Sequence, residues 1–399
     1  MVGASPKPFL STRSSRVCPV GRELTRFDEF PRHQIGNTFD TVVDGSQHWS
    51  DGFYFTMGDD AGRVAWFMGL RLHINNDVID GFVCTALEGR QHNMRWSRRL
   101  RPAIDDIAVG PMSVEIVEGL RTLRTVCAAN EHGQAYDLSW EGVHAPYNED
   151  HVQVYVNGRL HSDRSNYDQV MRVNGWIEVG GERIEVNDWT GVRDHSWGIG
   201  NQTGGPRTNV IAPPPVHTAP PGLRQWCWYR MPDRCIFWQF HHAGGRAPYT
   251  KLETRCVYPY DDPRESFAYT SLDYEVEFVK VDGRNSRRLK SSIVHLTRPD
   301  GVVESYSSEP ISYPLYLQGG GYHNGFDDAL GRGVYRGDLH HEGEVWEIDR
   351  VTSIVTPKPT DLNRWHYAEA WGRCTNLADA RDSGTGHLES VVLGPYEGL

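Results

Sequence analysis

Short runs of alternating apolar and polar residues, cut at intervals by glycine, constrain this chain more than any other feature. Gly52-Phe53-Tyr54-Phe55 and Arg63-Val64-Ala65-Trp66-Phe67-Met68 flank Gly58-Asp59-Asp60-Ala61-Gly62. Successive side chains of a strand point to opposite faces, so a period of two marks a half-buried β-strand. The Gly/Asp segment then supplies a hairpin turn. Residues 112–117, 123–126 and 152–156 alternate in the same way, and 176–179 runs through Gly180-Gly181 into 183–186. Strand-like text returns at 225–229, 235–240, 274–279, 291–296 and 344–348. Strands at this spacing predict an all-β protein, a barrel or sandwich with few helices. One helix is predicted, from Leu362 to Ala378, where Trp365, Ala368, Ala370 and Trp371 fall at rough helical spacing.

Residues 1–24 read as an N-terminal arm. Residues 199–223 carry several glycines and five prolines between Pro213 and Pro221, which no central strand or helix tolerates. A Pro/Gly-rich linker or loop at 201–221 therefore separates two β domains, 25–200 and 222–399. An internal repeat supports the division. Tyr155-Val156-Asn157-Gly158 matches Tyr316-Leu317-Gln318-Gly319, and Gly175-Trp176-Ile177 with residues 181–186 matches Gly337-Asp338-Leu339 with residues 343–348.

Composition removes several function classes. The net charge is -11, so a phosphate-neutralising surface, and with it nucleic acid as a partner, is not expected. The basic segment from Arg95 to Arg101 reads as a solvated strand edge or turn. No window approaches the length of a membrane span, and the N-terminal text has no secretory h-region. Seven cysteines without a Cys-x-x-Cys pair argue against a disulfide framework or thiolate zinc site. A cytoplasmic protein is the simplest expectation. Gln318-Gly319-Gly320-Gly321 lacks the Lys-Ser/Thr of a phosphate loop, and there is no dinucleotide fingerprint or Gly-x-Ser-x-Gly elbow. No cofactor is expected.

The densest chemistry lies in Asp188-Trp189-Thr190-Gly191-Val192-Arg193-Asp194-His195-Ser196-Trp197-Gly198. The second copy of the repeat has Asp349-Arg350-Val351-Thr352-Ser353-Ile354 at the matching place, so the cluster belongs to one copy only. Histidine exchanges protons near neutrality, and a buried carboxyl can stay protonated as an acid. Trp189 and Trp197 offer π faces to developing positive charge. On an extended strand Arg193, His195 and Trp197 share one face and Asp194 takes the other. The cluster can line a ligand site or form a buried polar knot between domains. His241-His242, His340-His341, His323, Asp327 and Asp328 raise a metal site, but adjacent strand histidines diverge and no metal is expected. Tyr322 and His323 belong to a loop at a barrel mouth. Trp226, Trp228 and Trp238 suit a core or a ligand cage.

The hairpin followed by Trp-x-Gly-x-Arg-Asp-His-Ser-Trp-Gly resembles the carotenoid 1,2-hydratase and AttH-like superfamily, which includes cofactor-free cyclases of the Diels–Alderase type. The specific part covers about residues 167–198. The resemblance implies two lipocalin-like domains with a hydrophobic site near their interface. It carries the family's Asp-His-x-Trp element onto Asp194, His195 and Trp197. The expected function is cofactor-independent acid–base catalysis on a hydrophobic terpenoid, steroid or polyketide-like molecule, as hydratase or dehydratase, isomerase or cyclase. Asp194 and His195 would be catalytic, and Arg193, Trp189, Trp197, Tyr322, His323, Trp226 and Trp228 would bind substrate. The alternatives are a non-catalytic carrier of an apolar ligand and a module in which the cluster is a clamp.

Overall fold

The computed structural model describes residues 24–399 apart from 34–35, 37, 157, 201–220, 349–353, 356–367 and 398. The chain divides into a small unit up to Val43 and a large one from Asp44 to Leu399. In the small unit a single 3-10 turn, Arg26–Glu29, is capped reciprocally by Thr25 and Asp28. The proline-rich segment 201–220 and most of the N-terminal arm lie outside the described residues.

The large unit is two curled antiparallel sheets, each a half-barrel of lipocalin-like form. Every strand expected from alternation is present. The first half contributes β1 (Trp49–Gly58), β2 (Val64–His73), β3 (Val78–Leu87), β4 (Arg90–Arg99), β5 (Ala108–Val109) and β6 (Met112–Glu118). It continues with β7 (Thr122–Cys127), β8 (Gln134–Gly142), β9 (Tyr147–Asn148), β10 (Val152–Val156), β11 (Arg159–Val179) and β12 (Glu182–Ile199). The second half begins with β13 (Gly222–Arg230), β14 (Cys235–His242), β15 (Tyr249–Val257), β16 (Ser271–Val281), β17 (Arg284–Thr297), β18 (Val303–Pro310) and β19 (Leu315–Tyr316). Then come β20 (Leu339–Ile348), β21 (Ile354–Val355), β22 (Ala368–Asn376) and β23 (Ser383–Leu393).

The first sheet runs β21-β20-β4-β3-β2-β1-β12-β11-β8-β7-β6-β5, and the second runs β15-β14-β13-β23-β22-β18-β17-β16. In each, the opening strand pairs with the closing one, β1 with β12 and β13 with β23. Each sheet curls around its own core. Phe53, Phe55, Trp66, Met68 and Trp140 fill the first, and Cys227, Tyr229, Trp238 and Phe240 the second. The opposite faces of the central strands pack the sheets on each other through Tyr54, Phe67, Phe82 and Trp371, and through Val170, Val192, Trp226, Trp228 and Phe237.

Three expectations are corrected. Residues 368–376, predicted helical, form strand β22, while 362–367 lie outside the described residues. Trp371 serves the intersheet cluster and Cys374 the second core, so burial on both faces erases the alternation that marks a strand. The repeat is not a structural one: residues 175–186 form the β11–β12 hairpin, whereas 339–348 is the single strand β20 added to β4 of the first sheet. The Arg95–Arg101 segment is no solvated edge, because β20 covers β4. Arg95 is fully buried, clasped by Glu342 and Glu344, and Trp96 is buried too.

Candidate active site between the sheets

The face of β12 bearing Thr190, Val192, Asp194 and Ser196 looks toward the second sheet, and the face bearing Arg193, His195 and Trp197 looks into the first half-barrel. Two environments result. On the inner face His195 is hydrogen-bonded to Asp51 Oδ1 (2.8 Å) and the Tyr167 hydroxyl (3.0 Å) and packs on Phe53. Arg193 donates twice to Gln169 Oε1 (2.8 and 3.0 Å) and lies over the Tyr167 ring. Trp197 meets the rings of Tyr167 and His195 edge-on, and Trp189 packs against the first core.

Asp194 belongs to the other environment. It pairs across the ladder with Tyr54 on β1 and Asp168 on β11. Asp194 is only partly buried and keeps accessible surface on the face toward the second sheet, and Tyr322 is likewise only partly buried. Burial raises the Asp194 carboxyl above the ordinary aspartate range, against the pull of Arg164 and Arg71.

From the second sheet come Glu369 on β22 and His387 and Glu389 on β23. Glu369 and Glu389 are direct cross-strand partners, and His387 is two residues along on the same face. The Tyr54 hydroxyl donates to Glu369 Oε2 at 2.5 Å across the junction. Burial raises the Glu369 carboxyl to about 7, and the same burial holds the Tyr54 phenol in its protonated form. His387 Nε2 lies 3.5 Å from Glu369 Oε2; the ring makes no hydrogen bond, and burial with Arg224 nearby pushes it down to about 3. Arg224 pairs with Glu389.

Beside this centre, Trp226 stacks edge-on against His387 and donates to Glu149 Oε1 (2.9 Å). Trp228 donates to Asp168 Oδ2 (3.1 Å) and stacks on Phe237. Burial and the neighbouring Glu149 push Asp168 well above the carboxylate range, so this dyad retains a proton. Trp238 lies in the second core, bonded to Gln225. His323 adjoins Tyr322 and is pushed down to about 4 by burial.

Of the residues singled out in the sequence, Asp194, Tyr322, Trp226 and Trp228 thus come together, whereas Arg193, His195, Trp197 and Trp189 lie on the first sheet's inner side. Arg71, Glu149, Asp168, Glu369, His387 and Glu389 were missed. For Glu369 the signal is a lone ionisable residue in an apolar run, Ala368-Glu369-Ala370-Trp371; Glu149 and Asp168 carry no such mark.

The far end of the motif does different work. Asp188, at positive φ, holds Arg230 of β13 through both guanidinium nitrogens (3.0 and 3.1 Å). They border a polar cleft of about 380 Å³ with Asp60, Arg373, Ser383 and Thr385. The stretch is a bolt between the sheets at Asp188 and faces the second sheet at Asp194.

Among the described residues, two groups bring three potential metal-donor side chains close together: Glu369, His387 and Glu389, and the more exposed Glu131, His132 and His341. The paired histidines diverge as strand geometry demands: His340 bonds to Glu342, while His341 turns to Glu131 and His132. The six described cysteines are free and buried. No described helix is long and apolar enough to cross a membrane.

Fold and site together define a two-sheet, lipocalin-like β protein with a cluster of buried ionisable side chains between its sheets. The chain belongs to a family of unknown function, DUF8625, whose model matches residues 24–399. No curated protein sequence matches it. Among solved structures it is similar to kievitone hydratase from Nectria haematococca, at 12% identity and TM-score 0.43, covering 93% of this chain and 96% of that one. It is also similar to CghA, at 10% identity and TM-score 0.43, and to CghA with Sch210972, at 9% and 0.44, each covering 88% of this chain and 89% of the other.

Proposed function

We propose that the space between the sheets is the active site of an enzyme acting by proton transfer on a hydrophobic small molecule of terpenoid, steroid or polyketide type. The reaction class is hydration or dehydration of an alkene, isomerisation, or cyclisation. The observation that carries this is the buried Tyr54–Glu369 pair, with Glu369 poised at about 7. A carboxyl at that value can donate or accept a proton at neutral pH. Glu369 protonates a leaving hydroxyl or an alkene carbon, or removes a proton from carbon in the reverse sense. Tyr54 fixes the carboxyl's orientation. Asp194 serves as the second acid–base group from the opposite sheet, and Trp226 and Tyr322 line the path of the apolar ligand. His195 and Arg193 act from behind, by holding the strand that presents Asp194. The chemistry invokes no cofactor. The domain division at 25–200 and 222–399 belongs to the same proposal, with β20 and β21 returning from the second half to the first sheet.

The test begins with the small molecule that co-purifies with the protein, extracted and identified by mass spectrometry. Incubated again with wild type, it should be converted, with isotopic oxygen from labelled water incorporated if the step is a hydration. Glu369→Gln and Tyr54→Phe should lower turnover by about 100-fold or more and about tenfold respectively. Return of the ligand unchanged by wild type would make the protein a carrier. Full turnover in Glu369→Gln would remove Glu369 from the chemistry.

A further inference from the structure

Arg71 is buried with no direct ion pair among the described residues, and Asp194 is the acidic group that acts on it. Arg71 lies on β2 opposite Gly52 and is 3% exposed. Its guanidinium donates to Ser50 Oγ (3.0 Å), Ser196 O (3.3 Å) and Ser196 Oγ (2.6 Å), all neutral acceptors. Other buried arginines are treated differently. Arg95 is clasped by two glutamates, and Arg332 grips Asp80 through two nitrogens. Arg193 also lacks a carboxylate, but it is held by Gln169 and the Tyr167 ring on the far face of the sheet. Arg71 instead has Asp194 and Tyr322 as electrostatic neighbours, the two partly exposed groups between the sheets.

Arg164 reinforces the charge. On β11, Arg164, Asn166 and Asp168 alternate onto one face, and Asp168 is the cross-strand partner of Asp194. Arg164 acts on Asp194 together with Arg71, and it too makes no ion pair among the described residues. The strands carrying both arginines approach their neighbours closely at two glycines. A Cβ at Gly52 would stand 2.4 Å from Leu70 O, and one at Gly198, where φ is +118°, 2.1 Å from Asp163 O. Two guanidinium groups thus face one carboxyl whose charged form burial disfavours, and a buried guanidinium held directly only by neutral acceptors is costly.

We propose that Arg71, with Arg164 beside it, anchors an anionic oxygen group, a carboxylate or enolate, on the otherwise hydrophobic ligand of the intersheet space. This rests on the site assigned above and names the chemical class of its substrate: an amphiphilic acid rather than a neutral hydrocarbon. Gly52, opposite Arg71, and Tyr54 are two residues apart on one face of β1, about 7 Å along the strand. An acid anchored at Arg71 would therefore present carbons several bonds from its anionic end to the Tyr54–Glu369 pair.

Two fluorescent probes of one ring system test this: 1-anilinonaphthalene-8-sulfonate, which is anionic, and N-phenyl-1-naphthylamine, which is neutral. Titrated into the full chain, both should bind. Arg71→Met should weaken the sulfonate about tenfold and leave the neutral probe within about twofold, while Arg71→Lys keeps most of the sulfonate affinity. Arg164→Met should shift the same selectivity to a smaller degree, and it carries the test if Arg71→Met does not fold. Arg381→Met, at an exposed arginine, serves as the charge control and should change neither affinity. Equal weakening of both probes by the Arg71 and Arg164 variants, or none, would overturn the anion site while leaving the intersheet cavity intact. Failure of wild type to bind either probe would overturn both.

Discussion

Glu369 is a carboxyl whose folded environment favours its proton. Burial lifts it from an ordinary 4.5 to about 7, although the Tyr54 hydrogen bond pulls the other way. Between those values the native state binds more protons than the unfolded chain. The stability from this group is therefore present in full below pH 4.5 and lost as pH rises to 7. Over that window the stability of wild type relative to Glu369→Gln should fall by about 3 kcal/mol. Denaturant unfolding of both proteins across the range measures it; a constant or rising difference would contradict the assignment. His387 has the opposite sign, since burial depresses it to about 3: its contribution is held above pH 6.5 and lost on acidification. Little of this was legible in the sequence. Asp194 stood out because charged and aromatic residues crowd around it, whereas Glu369 and His387 gain their character from a partner sheet more than a hundred residues away in sequence.

At the scale of elements, alternation identified the strands correctly and also separated Asp194 from His195. That separation has a consequence for function. Asp194→Asn should lower turnover by about 100-fold, whereas His195→Ala, on the inner face, should cost less than about tenfold, the two assayed side by side on the co-purified ligand. Alternation failed where burial is two-sided, and so β22 looked helical. The repeat misled for a topological reason. The counterpart of β12 in the second sheet is β23, its closing strand, and β23 carries His387 and Glu389. The acid–base residues are thus not confined to one half of the chain. The strand mistaken for a repeat, β20, instead locks onto β4 through Arg95. Arg95→Met should destabilise the protein by about 3–5 kcal/mol, read by thermal or denaturant unfolding, because Glu342 and Glu344 are left buried without their partner.

For the whole molecule, the two half-barrels are complete cores that meet along a seam of mixed character. Trp228 and Val192 make it apolar, Asp188 and Arg230 bolt one end, and the carboxyls of Asp168, Asp194 and Glu369 occupy its middle. Trp228→Phe keeps the ring but leaves Asp168 without its indole donor. The lost donor should cost about 1–3 kcal/mol in unfolding experiments, on top of the void left by the smaller ring, and no measurable loss would contradict the hydrogen bond's role. Low dielectric in such a seam raises the acids, and the second sheet supplies the groups that orient them. The central claim is that Glu369 is held as a titrating acid between the sheets. Infrared difference spectroscopy of wild type against Glu369→Gln measures this without a substrate. A protonated carboxyl band should appear in the difference and vanish with a midpoint near pH 7. Its loss near the ordinary glutamate value of 4.5 would contradict the account.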